Sequence, residues 1–144
     1  MNKNLRGFSL IELLVVLFII GSLTGLLLPN LISARQRARD SQRKQELYEI
    51  KNALRLYYDD NQSYPDGVSF GEGWDGYMEE VPQDPKSDQE YYYCSSSDGE
   101  EFLLGANLEN PGDADAASSQ SYCNSAGTCS SGCSESNCYF ACGH

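Results

Sequence analysis

The chain's most constraining feature is an apolar run near its start. From Phe8 to Ile32, 25 residues, only Glu12 is charged. That length is enough to cross a bilayer as a helix. An acid at the middle of such a helix costs roughly 2.5–3.5 kcal/mol, and less near the interface. Glu12 sits close to the start of the run, so a counter-charge is expected to reach it there.

The segment before the run is short and basic, with Lys3 and Arg6, and ends in Gly7-Phe8-Ser9-Leu10-Ile11-Glu12. A basic leader, Gly7, Phe8, an acid as the fifth residue after Gly7, and the apolar run occur in register. On these residues the N-terminus resembles that of type IV prepilins and type II secretion pseudopilins. The resemblance implies that a prepilin peptidase cuts between Gly7 and Phe8 and methylates the new amine of Phe8. It also implies that Glu12 pairs with the N-terminal amine of a neighbouring subunit during assembly. The physics agrees, because cleavage creates a cation and a lone buried anion is costly. The alternatives are a secretory signal peptide with a cut near Ile32-Ser33-Ala34, or an ordinary single-span anchor.

Charge is distributed unevenly. Nine of the ten Lys and Arg residues lie at or before Arg55, whereas seventeen Asp and Glu lie from Asp59 onward, with Lys86 the one base among them. A head of about −16 repels nucleic acid and favours solubility. The cluster Arg35, Arg37, Arg39, Arg43 and Lys44 outweighs Lys3 and Arg6, so the positive-inside rule alone puts the C-terminal part in the cytoplasm. The cysteines and the resemblance put it outside. Six cysteines, Cys94, Cys123, Cys129, Cys133, Cys138 and Cys142, read as a disulfide framework in an oxidising compartment. Fifteen pairings are open. No Cys-x-x-Cys pair supports zinc.

Residues 1–7 read as leader, 8–30 as the membrane and assembly half-helix, and 31–62 as an amphipathic half-helix. Residues 63–116 read as a small β head and 117–144 as a Ser/Gly/Cys-rich tail. Pro29 follows Gly21, Ser22, Thr24 and Gly25 and predicts a kink or local loosening. Leu47, Ile50, Leu54 and Tyr57 form one apolar stripe. Arg35, Arg39 and Arg43 form a like-charge row at four-residue spacing, unfavourable in an isolated helix, which points either to an acidic surface nearby or to a solvated face. Asp59-Asp60-Asn61 and Ser63-Tyr64-Pro65-Asp66-Gly67 end the helix. Tyr91–Cys94 and Glu101–Leu104 around Asp98-Gly99 predict an antiparallel hairpin covering the stripe. The fold class is α+β, a long N-terminal helix packed on a small antiparallel sheet with a disulfide-rich tail.

Tyr64-Pro65, Val81-Pro82-Gln83-Asp84-Pro85, the tyrosine strand and Leu104-Gly105-Ala106-Asn107 resemble, in order, the major pseudopilin of type II secretion. The resemblance implies a calcium loop after the last strand, with Asn107, Asp113 and Asp115 at comparable places. Oxygen ligands of this kind suit a hard cation. Asn107 stands where that family usually has Asp, and a solvated acidic loop is the alternative. The tail is too poor in apolar residues to hold itself without cross-links, and Cys94 could pin it to the sheet.

No catalytic constellation is present in the sequence. The lone histidine, His144, is terminal, and no Gly-rich phosphate cradle or Gly-x-Ser-x-Gly occurs. The expected function is structural, with no cofactor beyond calcium. The resemblance implies as partners copies of the chain itself, the peptidase, an inner-membrane assembly platform, minor pilins and the bilayer. A pseudopilin of a secretion machine, a pilus subunit for adhesion, motility or DNA uptake, and a tethered Cys-rich binding module remain open.

Overall fold

The computed structural model describes residues 7–123 and 137–143, without the side chains of 26–29. The rest of the leader, Cys129, Cys133, His144 and the side chain of Pro29 lie outside the described residues, as does the kink expected there. The element order is α1 (Leu10–Asn61), β1 (Tyr92–Ser95), β2 (Phe102–Asn107), α2 (Ala114–Cys123) and β3 (Cys138–Gly143). The chain divides into two compact units, residues 1–35 and 36–144.

The first unit, where described, is helix with every side chain exposed. Phe8, Leu10 and Phe18 are each at least three-quarters exposed. A helix so apolar and so bare is built to be covered by something other than its own chain. Among the described residues no single helix is long and apolar enough to cross a membrane. Leu10–Gly25 and Asn30–Asn61 taken together could, by length and composition.

The second unit has a core of its own. Leu47, Ile50 and Leu54 of α1 are fully buried against Tyr64, Val81, Tyr91, Phe102, Leu104 and Ala106. Burial of each large aliphatic contributes about 1.5–3 kcal/mol. Tyr57, the fourth residue of the expected stripe, is half-buried and packs on Trp74 and Tyr77, with ring centroids 5.4 and 5.2 Å away. The Gly-rich loop of residues 68–77 thus lays its Trp74 and Tyr77 rings on α1.

The sheet is antiparallel in the order β1-β2-β3. The expected hairpin is present, with Tyr92 opposite Gly105 and Ser95 opposite Phe102. Its tip docks on the end of α1, where the Tyr64 amide donates to Gly99 O at 2.8 Å. Gly99 has φ +70°, and a Cβ there would lie 2.9 Å from Ser63 Cβ, so the tip requires glycine.

β2 runs three residues beyond the expected strand because a third strand pairs with it. β3 sets Phe102 opposite Gly143 and Asn107 opposite Cys138. No element is expected from sequence in residues 117–144, yet most of α2 and all of β3 lie there. Disulfide Cys123–Cys142 ties α2 to β3. The Phe140 amide donates to Ser119 Oγ at 3.0 Å, and Gln120 Nε2 donates to Cys138 O at 2.8 Å. The tail therefore completes the sheet. Local propensity is silent about this, because a strand holding two cysteines, an alanine and a glycine gains its place from cross-links and pairing.

Candidate functional site

Two places in the chain carry chemistry. The first is the helix start. Gly7, Phe8 and Ser9 precede α1, and Gly7 and Phe8 are exposed. Glu12 lies in the first turn, where a carboxylate suits the helix dipole. Its Oε2 is 3.4 Å from the Ser9 amide, a long contact. Ser9-Leu10-Ile11-Glu12 has the spacing of a capping box, in which the acid reaches back to the N-cap amide. Among the described residues a backbone amide at the helix start is the partner seen for Glu12.

The second place is a polar seam where α1 meets the loops of the head. Asp40 and Arg43 extend the buried stripe, so positions 40, 43, 47, 50 and 54 face one way, two of them charged. The Arg43 side chain is fully covered. Its Nε and Nη2 donate to Asp84 Oδ2 and Oδ1 at 2.7 and 2.9 Å, a fork-on-fork pair. Its Nη1 donates to Asp40 Oδ1 at 2.8 Å and Glu109 Oε1 at 3.0 Å, and Nη2 also reaches Gln89 Oε1 at 3.1 Å. Arg39 forks onto Glu109, with both bonds at 2.6 Å. Asp40 accepts the backbone amides of Glu109 and Asn110 at 2.8 and 2.9 Å.

Of the two readings of the arginine row, the acidic surface holds for Arg39 and Arg43. Arg35 is exposed. The hydrogen bond from Arg39, reinforced by Arg43, pulls the Glu109 carboxyl down to about 2. Burial alone would make Arg43 easier to deprotonate, but its bonds to Asp84, Glu109 and Asp40 outweigh that and hold the guanidinium charged. Tyr91, buried and hydrogen-bonded to Glu46, is pushed well above the usual tyrosine range. The seam clamps the loop around 84–89 and the chain after β2 onto α1.

Of the residues expected at a cation loop, Asp113 and Asp115 come together and Asn107 does not join them. Lys44 Nζ donates to Asp113 Oδ1 and Oδ2 at 2.7 and 2.8 Å and to Asp115 Oδ2 at 2.8 Å. Asn107 is at the end of β2, with its Nδ2 donating to Tyr92 Oη at 3.3 Å. Among the described residues no group of three or more His, Cys, Asp and Glu is placed to hold a metal ion. Cys94 and Cys138, like Cys123 and Cys142, are disulfide-bonded.

Comparison with known proteins agrees with this layout. Residues 2–28 match the model of the prokaryotic N-terminal methylation motif. Type II secretion system core protein G of Aeromonas hydrophila is 31% identical over 101 residues, covering 58% of this chain and 69% of that protein. The chain belongs to the type IV prepilin and type II secretion pseudopilin family. Core protein G of Vibrio cholerae is 29% identical over 130 residues, 77% of this chain and 87% of that protein. The type IV wide pilus major component PilA4 of Thermus thermophilus is 44% identical over 62 residues, 43% of this chain and 47% of that protein. No solved structure matches. A long N-terminal helix, a small antiparallel sheet and a disulfide-held C-terminus make up the type IV pilin fold of this pseudopilin-family chain.

Proposed function

We propose that the chain is a structural, non-enzymatic subunit of an extracytoplasmic filament, working as the pseudopilin of a type II secretion-like system. The observation that carries this reading is a bare apolar half-helix with an acid in its first turn, joined to an independently cored acidic head. The prepilin is held in the cytoplasmic membrane with its leader inside. A prepilin peptidase cuts between Gly7 and Phe8 and methylates the Phe8 amine. The half-helix then leaves lipid and packs against copies of itself, drawn by dispersion and close packing. Glu12 meets the Phe8 amine of a neighbour and sets the axial register, so a misplaced subunit leaves an unpaired ion and is rejected. The assembly platform and minor subunits of such a machine are the remaining partners. The core protein G relatives of Vibrio cholerae and Aeromonas hydrophila cover more of this chain than the pilus component does, and this favours the secretion reading. A pilus subunit is the second reading, supported by the higher identity of the Thermus protein over its shorter span.

The test is Glu12→Ala in cells carrying the assembly machinery. Membrane insertion is expected to be retained, because an acid near the interface is replaced by a methyl group. Sheared filaments are expected to disappear. Normal filaments from the variant would remove Glu12 from the assembly mechanism.

A further inference from the structure

The loop between β2 and α2 is where the family resemblance puts a calcium ion, and its groups do not fit one. Calcium takes six to eight oxygens at 2.3–2.6 Å. Here the oxygens of Asp113 and Asp115 converge on an ammonium group of the same chain. All three Lys44 N–H donors are used, at 2.7, 2.8 and 2.8 Å, on two carboxylates. Asn107, the third expected ligand, is the last residue of β2 and donates its side-chain amide to Tyr92.

We propose that the Lys44 ammonium is a built-in counter-ion that takes the place of calcium in this head, so that the loop after β2 folds without a divalent cation.

Lys44 can do this because of where α1 puts it. It follows Arg43 on the helix, so its stem leaves α1 beside the polar seam and its head reaches the N-terminus of α2. Only a fifth of the side chain is exposed. The ammonium also lies 5.6 Å from the centroid of the Tyr139 ring on β3. Asp113 precedes α2 and caps it, its Oδ1 accepting the Asp115 amide at 3.0 Å. A single positive group therefore gathers α1, the cap of α2 and β3. A divalent ion would do the same by binding carboxylates and backbone oxygens, but it would leave when chelated. The covalent cation stays. Burial works against the charge on Lys44, yet the bonds to Asp113 and Asp115 outweigh it and hold the group more basic than usual. Asp113 is in turn held below the usual carboxylate range by its bond from Lys44.

The inference holds for a pilus subunit and a pseudopilin alike. It is tested by thermal unfolding of the full chain in detergent micelles, with a chelator or with about 1 mM calcium, the range in which extracellular calcium modules load. The wild-type midpoint is expected to be the same in both. Lys44→Met keeps the apolar stem and removes the charge. In chelator its midpoint is expected to fall by roughly 4 °C or more. Adding Asp113→Asn and Asp115→Asn to Lys44→Met is expected to recover part of the loss, since the repelling carboxylates are gone and Asn still caps α2. A wild-type midpoint that rises by several degrees with calcium overturns the proposal. So does a Lys44→Met chain that melts with the wild type in chelator.

Discussion

Replacing Arg43 by Met probes the polar seam most sharply. The substitution keeps much of the apolar volume and removes a guanidinium that is fully covered. Three carboxylates then face one another. The Asp84 side chain is fully covered, and those of Asp40 and Glu109 are 3% and 11% exposed. Glu109 keeps its fork from Arg39, and Asp40 keeps two backbone amides. Asp84 keeps the Lys86 amide at 2.8 Å and loses both guanidinium bonds. Removing one partner of a buried ion pair costs about 3–5 kcal/mol, because the stranded charge is not rehydrated. For a unit of this size that lowers the melting midpoint by about 10 °C or more. The assay is thermal unfolding of the full chain in detergent micelles, followed by near-ultraviolet circular dichroism at several pH values. Added salt should change the deficit little, since the charges are shielded from solvent. A variant within about 2 °C of wild type at pH 7 would refute the reasoning.

The wild-type chain should have an acid limb of its own. Glu109 sits at about 2 in the fold, below its ordinary 4.5, so its contribution is complete above about pH 4.5 and is lost as pH falls toward 2. Glu109→Gln should flatten that limb and lower stability near neutrality by roughly 1–3 kcal/mol in a pH series of melts. Opening the Cys123–Cys142 bridge with Cys123→Ala should cost about 2–4 kcal/mol. It should also raise amide exchange in β3 ahead of β1, which hydrogen-exchange mass spectrometry reads directly.

The apolar logic of the fold was legible in the chain itself. Leu47, Ile50 and Leu54 announce a buried face by their spacing, and the tyrosine run and Phe102–Leu104 announce the hairpin that covers it. The arginine row left an acidic surface open as one reading, but the polar half of that face was not read further, because the partners of Asp40 and Arg43 at 84 and 109 leave no mark in the helix. A signal was there, since both stand in register with the stripe. Lys44 was missed for the opposite reason. Asp113 and Asp115 resemble cation ligands, and sequence spacing does not tell whether the cation is an ion or a side chain 69 residues away. β3 was unreadable because its stability comes from pairing with β2 and from a bridge to α2, neither of which leaves a local pattern.

The N-terminus of the protein recovered from cells with an active export apparatus tests the central claim most directly. Intact and peptide mass spectrometry should find the mature chain starting at an N-methylated Phe8, with residues 1–7 removed. A chain that still begins at Met1, uncut and unmethylated where the apparatus is running, would contradict the assignment as a filament subunit.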